Sequence, residues 1–378
     1  MTAAYLHIPF CDHICFYCDF NKVFLEGQPV EEYIDAVITE MAIMKERHPQ
    51  EKLETFYIGG GTPTTLTAPQ LDRLLSGIQT HFPMDKGAEF TVEANPESAS
   101  FEKFAVLKEH GVNRISMGVQ SFDNAILKRI GRIHTSDQVY RCVDDARRAG
   151  FENISIDLIF RLPTQTIESF QETLTKALEL DLPHYSIYSL ILENKTIFYN
   201  LMRQGKLPLP SEDDEADMFE LAMETMEAAG RYQYEISNYA KPGFQSQHNL
   251  AYWKNDHYFG FGAGAHGYLG DTRYNNHGPI QHYLEPLRAK QSPIIYQQSL
   301  TQKNKMEEEF MLGLRTMKGV DRSLFECKFD QTTESVYQEE LDMLLDRQLI
   351  KLEDNHIRLT KKGVFLGNEV FRSFLKDT

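Results

Sequence analysis

The sequence has little of what marks several large classes of protein. Basic residues are outnumbered, 39 Lys and Arg against 55 Asp and Glu, and the net charge of -16 opposes phosphate backbones, so no nucleic-acid partner is expected. No stretch approaches the ~20 consecutive apolar residues of a membrane-spanning helix. The first residues also lack the basic segment and apolar core of a secretion signal. A cytoplasmic location is therefore expected, with any membrane association peripheral. Cysteine is scarce too, five in 378 residues. An odd count with three thiols inside eight positions makes no disulfide framework, and clustered thiols in a reducing compartment suggest a metal site. Cys142 and Cys327 stand alone and are given no role.

What is present is a long alternation of β-rich and helical runs. Strands are expected at Ala4–Ile8, Thr55–Ile58, Glu89–Ala94, Arg114–Val119, Asn153–Ile159, His184–Leu190 and Gln233–Ile236. The segments between them, such as Tyr33–Arg47 and Glu168–Leu180, show helical apolar spacing. Six or seven βα units fit an open or closed barrel, and the periodicity alone fits a doubly wound sheet as well. In the next stretch, residues 241–300, Gly, His, Asn and aromatic residues crowd together, which reads as irregular and functional. From residue 301 on, helices at Glu307–Met317, Glu334–Arg347 and Lys361–Phe374 surround a β run at Leu349–Leu359. The order predicts a small helical, winged domain at 301–378 after a barrel at 1–240.

The chemistry concentrates where the first strand ends, in His7-Ile8-Pro9-Phe10-Cys11-Asp12-His13-Ile14-Cys15-Phe16-Tyr17-Cys18. A structural zinc site needs a fourth ligand, and neither His7 nor His13 completes a familiar zinc spacing. Three thiolates suit a 4Fe-4S cluster that keeps one iron open to a small chelating molecule. After the second strand comes Gly59-Gly60-Gly61-Thr62-Pro63-Thr64, a turn whose missing Cβ atoms let backbone groups approach a ligand. Glu93, Gln120 and Asp157 stand at further strand ends, polar where a core would not place them, and Arg132 follows nearby.

The cysteine triad with this glycine turn resembles the radical S-adenosylmethionine (SAM) superfamily. The runs Tyr5-Leu6-His7-Ile8-Pro9-Phe10-Cys11, Gly118-Val119-Gln120-Ser121-Phe122 and Leu162-Pro163-Thr164-Gln165-Thr166 narrow the resemblance to the oxygen-independent coproporphyrinogen oxidase group, over nearly the whole chain. The resemblance implies an α/β fold, a partial (β/α)6 TIM-like barrel. It implies a 4Fe-4S cluster on Cys11, Cys15 and Cys18 with SAM at the open iron. Tyr5 and Tyr17 would flank cluster and SAM, and Gly60, Gly61, Thr62, Glu93, Gln120, Arg132 and Asp157 would contact SAM. Arg161 departs from the pattern, since the family usually has Gly there.

Two features separate an oxidase from a haem chaperone within this group. The oxidases carry a fourth cysteine two residues past the third, where this chain has Phe20, and an N-terminal extension, expected to be absent with ten residues before Cys11. His248-Asn249-Leu250-Ala251-Tyr252-Trp253 resembles the H-N-x-x-Y-W signature of the chaperone branch. A neutral imidazole is a natural axial ligand for haem iron, so His248 is the expected haem ligand, and His266 in the following glycine-rich run is a weaker one. The resemblance then implies haem as cargo, client haemoproteins as partners, respiratory ones at the membrane among them, and a homodimer as one further expectation.

Overall fold

The computed structural model describes residues 2–49 and 52–375. Six parallel strands, Thr2–Ile8, Thr55–Gly60, Glu89–Ala94, Arg114–Gln120, Asn153–Phe160 and His184–Ser189, lie side by side in chain order. Helices return the chain between them, among them Val30–Arg47, Ala68–His81, Phe101–Glu109, Ser136–Arg148 and Ile167–Glu179. Several begin on side-chain caps that stop the chain from extending further: Thr67, Ser100 and Thr166 each accept from the third helical N–H. This is the expected (β/α)6 arrangement, left open.

The strands alternate between two environments. Leu6, Ile58, Val92, Ile115, Met117, Ile156 and Ile187 are fully buried against the helices. The intervening residues share the inner face, and parallel register carries them across the sheet: Tyr5 beside Tyr57, Glu93 beside Ser116, Gly118 beside Asp157, Asp157 beside Ser186. The inner face is thus lined with hydroxyl, carboxyl and guanidinium groups, a costly choice unless something polar is held there.

The expected seventh unit lies elsewhere. Tyr232–Glu235 pairs antiparallel with Asn238–Ala240, itself antiparallel to the sixth strand, so it closes that edge instead of adding a βα unit. The segment expected to be irregular forms the other flank. His257–Phe261 pairs parallel with the first strand, and His266–Leu269, Thr272–Asn276 and Ile294–Ser299 continue the sheet antiparallel, to twelve strands. The glycines that read as loop punctuation mark close packing there: a Cβ on Gly260 would lie 1.9 Å from the His266 carbonyl oxygen.

The C-terminal part has its own core of Phe310, Phe325, Tyr337, Leu341, Ile357 and Phe371, with helices Gln302–Gly313, Arg322–Phe329 and Thr333–Asp346 around a small antiparallel sheet. This is the expected helical, winged unit. The Ile236 and Met317 amides donate to the Arg315 and Tyr234 carbonyls, stitching it to the barrel edge.

One buried carboxylate fastens the sheet's added flank to the first helix. Glu40, 1 % exposed, accepts from the Gly262 amide at 2.8 Å, Asn276 Nδ2 at 2.6 Å and the Tyr283 hydroxyl at 2.5 Å. Burial pushes its carboxyl up to about 7 from an ordinary 4.5. The folded chain therefore holds this proton to higher pH than the unfolded chain. The contribution to stability is full below about pH 4.5 and is lost as the pH rises through 7, a swing of roughly 3 kcal/mol. Glu40→Gln cannot ionise, so in denaturant titrations its stability relative to wild type should climb by up to that amount between pH 4.5 and pH 8. A pH-independent difference would contradict this role.

Candidate metal centre

The first strand ends at Ile8, and Phe10–Cys11 pairs with Val23–Phe24, closing a loop that carries all three clustered cysteines. The loop is pinned at its base by the Val23 amide on the Pro9 carbonyl at 2.8 Å and the Leu25 amide on the Cys11 carbonyl at 2.9 Å. His7 Nε2 meets the Asn21 carbonyl at 2.6 Å. Cys11 is buried, Cys15 and Cys18 are half-buried, and all three line one cavity of about 580 Å³ over the polar inner face of the barrel. Burial pushes the Cys11 thiol up to about 11 and raises that of Cys18, so a metal entering here must displace protons. Thiolates around one zinc would stand about 4 Å apart; among the described residues no three His, Cys, Asp or Glu side chains gather for a single ion. Thiols spaced around a shared cavity suit a multi-iron cluster instead.

The glycine turn packs directly on this loop. The Gly61 amide donates to the Ile8 carbonyl and that of Thr62 to the Phe10 carbonyl, both at 2.8 Å. Gly60 has a φ of +116°, open to glycine alone, and a Cβ there would lie 2.5 Å from the His7 ring. A Cβ on Gly61 would lie 2.7 Å from the Phe10 carbonyl oxygen and 2.9 Å from Cys11 Sγ. Thr62 Oγ1 lies 3.7 Å from the same sulfur. The donor set and the cradle fit a cysteine-held cluster.

The remaining expected residues gather on the same wall. Glu93 accepts from the Gly60 amide at 3.0 Å and from the Tyr57 hydroxyl at 2.8 Å, and burial pushes it up to about 7. Asp157, raised by burial, accepts from Ser116 Oγ at 3.3 Å. Gln120 sits at φ +68° beside a register shift against the fifth strand. The Arg132 guanidinium reaches Cys15 Sγ at 3.4 Å, Asn95 Oδ1 at 3.0 Å and the Gly118 carbonyl, with Glu97 at 3.8 Å. Tyr17 lines the cavity, whereas Tyr5 stands behind it, stacked on Tyr57 at 6.1 Å and bonded to His7 at 3.0 Å.

Sequence reading missed Asn95, which bridges Thr62 and Arg132 and was visible inside the Val92-Glu93-Ala94-Asn95-Pro96 run. It also missed Tyr57, Arg114, Ser116 and Ser186, whose signal was a polar residue at every second strand position. Arg161 has a φ of +61°, which accounts for the glycine usual there, and its guanidinium lies 2.9 Å from Glu215, off the cavity wall.

The structure does not bring His248 to the cavity. Its helix, Gln247–Trp253, begins on Glu89, whose carboxylate accepts from Ser246 Oγ at 3.2 Å and from the Gln247 and His248 amides at 2.9 and 3.0 Å. This fixed start turns the imidazole into the protein, 1 % exposed, with Nδ1 on Thr55 Oγ1 at 2.9 Å and Nε2 on the Tyr252 hydroxyl at 3.1 Å. Burial pushes it down to about 3, so it is neutral, and it stacks on Tyr57 at 5.0 Å. Both nitrogens are engaged, which leaves no lone pair for iron unless the contact with Thr55 or with Tyr252 breaks. The signature residue on the cavity wall is Asn249. Trp253 faces Arg315 of the C-terminal unit at 5.3 Å, and His266 is exposed on the added flank, off the cavity wall.

Cysteine loop, glycine turn and polar barrel interior define a radical SAM protein, and the Radical SAM superfamily model matches residues 5–177. The HemN C-terminal domain model matches residues 300–366. The chain is 48% identical over 378 residues to the heme chaperone HemW of Bacillus subtilis, covering 100% of both chains. It is 49% identical to that of Lactococcus lactis over 376 residues, covering 100% of this chain and 98% of the relative. For the Escherichia coli protein of the same name the identity is 34% over 380 residues, with 99% and 98% covered. The chain belongs to the heme chaperone HemW family. Its fold also matches the solved structure of coproporphyrinogen III oxidase (HemN) from Escherichia coli, a radical SAM enzyme, with a TM-score of 0.85 and 25% identity over 99% of this chain and 89% of that one.

Gly61→Ala tests the cradle. The added methyl must displace either the Phe10 carbonyl or Cys11, so iron bound after anaerobic reconstitution should fall severalfold, while Gly278→Ala, with open space around it and no left-handed backbone, should load normally. Equal iron content in both would contradict the packing argument.

Proposed function

We propose that this chain holds a 4Fe-4S cluster on Cys11, Cys15 and Cys18, takes up SAM beside it, binds haem, and passes haem to client haemoproteins. The observation that carries the reading is the wall of the shared cavity. Three thiols face it, and where the oxidases of the group have a fourth cysteine it presents Phe20, 59 % exposed. The full-length identity to proteins named heme chaperone supports the haem half.

Gly60, Gly61, Thr62, Glu93, Gln120, Arg132 and Asp157 would hold SAM. Backbone carbonyls at the glycine turn suit its amino group, since the turn's amides are already engaged, and the carboxylates of Glu93 and Asp157 suit ribose hydroxyls. When bound and reduced, the cluster would supply a low-potential electron to SAM. Arg132, with its guanidinium on Cys15 Sγ, would offset the thiolate charge that the cluster brings. Tyr5 would act through His7 and Tyr57, and His248 through its support of Tyr57 and of the helix that presents Asn249. Among the described residues no helix is long and apolar enough to cross a membrane; we place the protein in the cytoplasm, meeting respiratory clients at the membrane surface, with a homodimer as its assembled form.

The fold match to the oxidase over 99% of the chain favours a second reading, porphyrinogen oxidation. Anaerobically reconstituted protein is expected to hold about four irons, to bind haem, and to leave coproporphyrinogen III unconverted in the presence of SAM and reductant. Steady formation of protoporphyrinogen IX would overturn the chaperone reading in favour of the second. Cys15→Ser should lose most of the iron, and full loading of that variant would remove the cysteine assignment.

A further inference from the structure

The cluster and SAM leave one part of the cavity unexplained. Its deep wall is polar, but its rim carries Phe20, Tyr188 and Ile191, which are 59, 40 and 68 % exposed. Three large apolar side chains left in water around one opening are unusual for a surface with nothing to cover it. Two further rim features could meet a ligand. Lys22 bonds only the Cys18 carbonyl and has no carboxylate partner among the described residues. His13 is half-exposed, lines the cavity, and has no hydrogen-bond or ion-pair partner among them.

His13 is also the only histidine on this wall, among the described residues of a chain that has 13. The others near the site are spent. His7 holds Tyr5 and Asn21, and His134 holds Glu97 and the Val119 carbonyl. His248 is closed off between Thr55 and Tyr252.

An imidazole free at both nitrogens, an apolar rim with two aromatic rings and an ammonium with no carboxylate partner among the described residues are together what a flat iron porphyrin bearing propionates requires. We propose that haem binds across the mouth of this cavity with His13 as its axial ligand, against Phe20, Tyr188 and Ile191, with Lys22 facing a propionate. The proposal rests on the haem-binding reading above and replaces His248 as the iron ligand. It gives Phe20 a positive task at the place of the fourth cysteine.

The test is a titration of ferric haem (hemin) into wild type, His13→Ala and His248→Ala, with and without a reconstituted cluster. It is followed by the Soret band and by the low-spin electron paramagnetic resonance of an imidazole-ligated iron. His13→Ala is expected to bind about tenfold more weakly and to lose the nitrogen-ligated spectrum, which free imidazole should restore. His248→Ala should keep that spectrum. An unchanged spectrum and affinity in His13→Ala, or a loss that imidazole does not repair, overturns the proposal while leaving haem binding by the chain intact. Failure of the wild type to bind haem at all overturns both the proposal and the reading beneath it.

Discussion

The site depends on one backbone contact, the turn Gly60-Gly61-Thr62 laid against Phe10 and Cys11. Two amide-to-carbonyl bonds of 2.8 Å join the end of the second strand to the base of the cysteine loop, at a separation that leaves no space for a Cβ. The contact sets where Cys11 points, since its sulfur lies against Gly61 and Thr62. Glu93 then locks the turn from the third strand through the Gly60 amide. A loop carrying three thiols would otherwise be free to sample many arrangements. Here it is held by two strands, a turn and the Asn21 carbonyl on His7, so the cavity exists before any ligand enters it.

Buried carboxylates do the same job elsewhere. Glu40 ties the added flank of the sheet to the first helix, Glu89 starts the helix of the H-N-x-x-Y-W run, and Glu93 holds the glycine turn. Each accepts from backbone amides and forms no ion pair among the described residues, although Arg114 lies near enough to Glu93 to favour its charge, so hydrogen bonds hold each in place. Burial pushes both Glu40 and Glu93 up to about 7, so both joints hold a proton to higher pH than the unfolded chain does.

The βα units and the thiols were legible in the sequence because both are local, whereas the choice of a barrel over a doubly wound sheet rested on the family resemblance. Alternation along a strand and three cysteines in eight positions are written in consecutive residues, and six strands were found near their observed ends. The flank at residues 257–299 was not legible. Its glycines and aromatics serve packing against the first strand, a partner far away in sequence, and against Tyr274 within the flank itself. The direction of His248 was not legible for a related reason. Its motif was recognised, but its direction is set by Glu89, more than 150 residues earlier, and no local pattern shows which face of a seven-residue helix meets a cavity. The family resemblance implied that Tyr5 flanks the cluster and SAM; in the fold its hydroxyl lies on His7 and its ring stacks on Tyr57 behind the cavity wall.

Whether three cysteines hold a cluster whose remaining iron is open to SAM is tested most directly by electron paramagnetic resonance of the reduced, reconstituted protein before and after SAM is added. Chelation of an open iron should change the g values of the cluster signal, because the ligand field at that iron changes. A signal that does not respond to saturating SAM would mean that the fourth position is already filled by the protein, and would contradict the assignment.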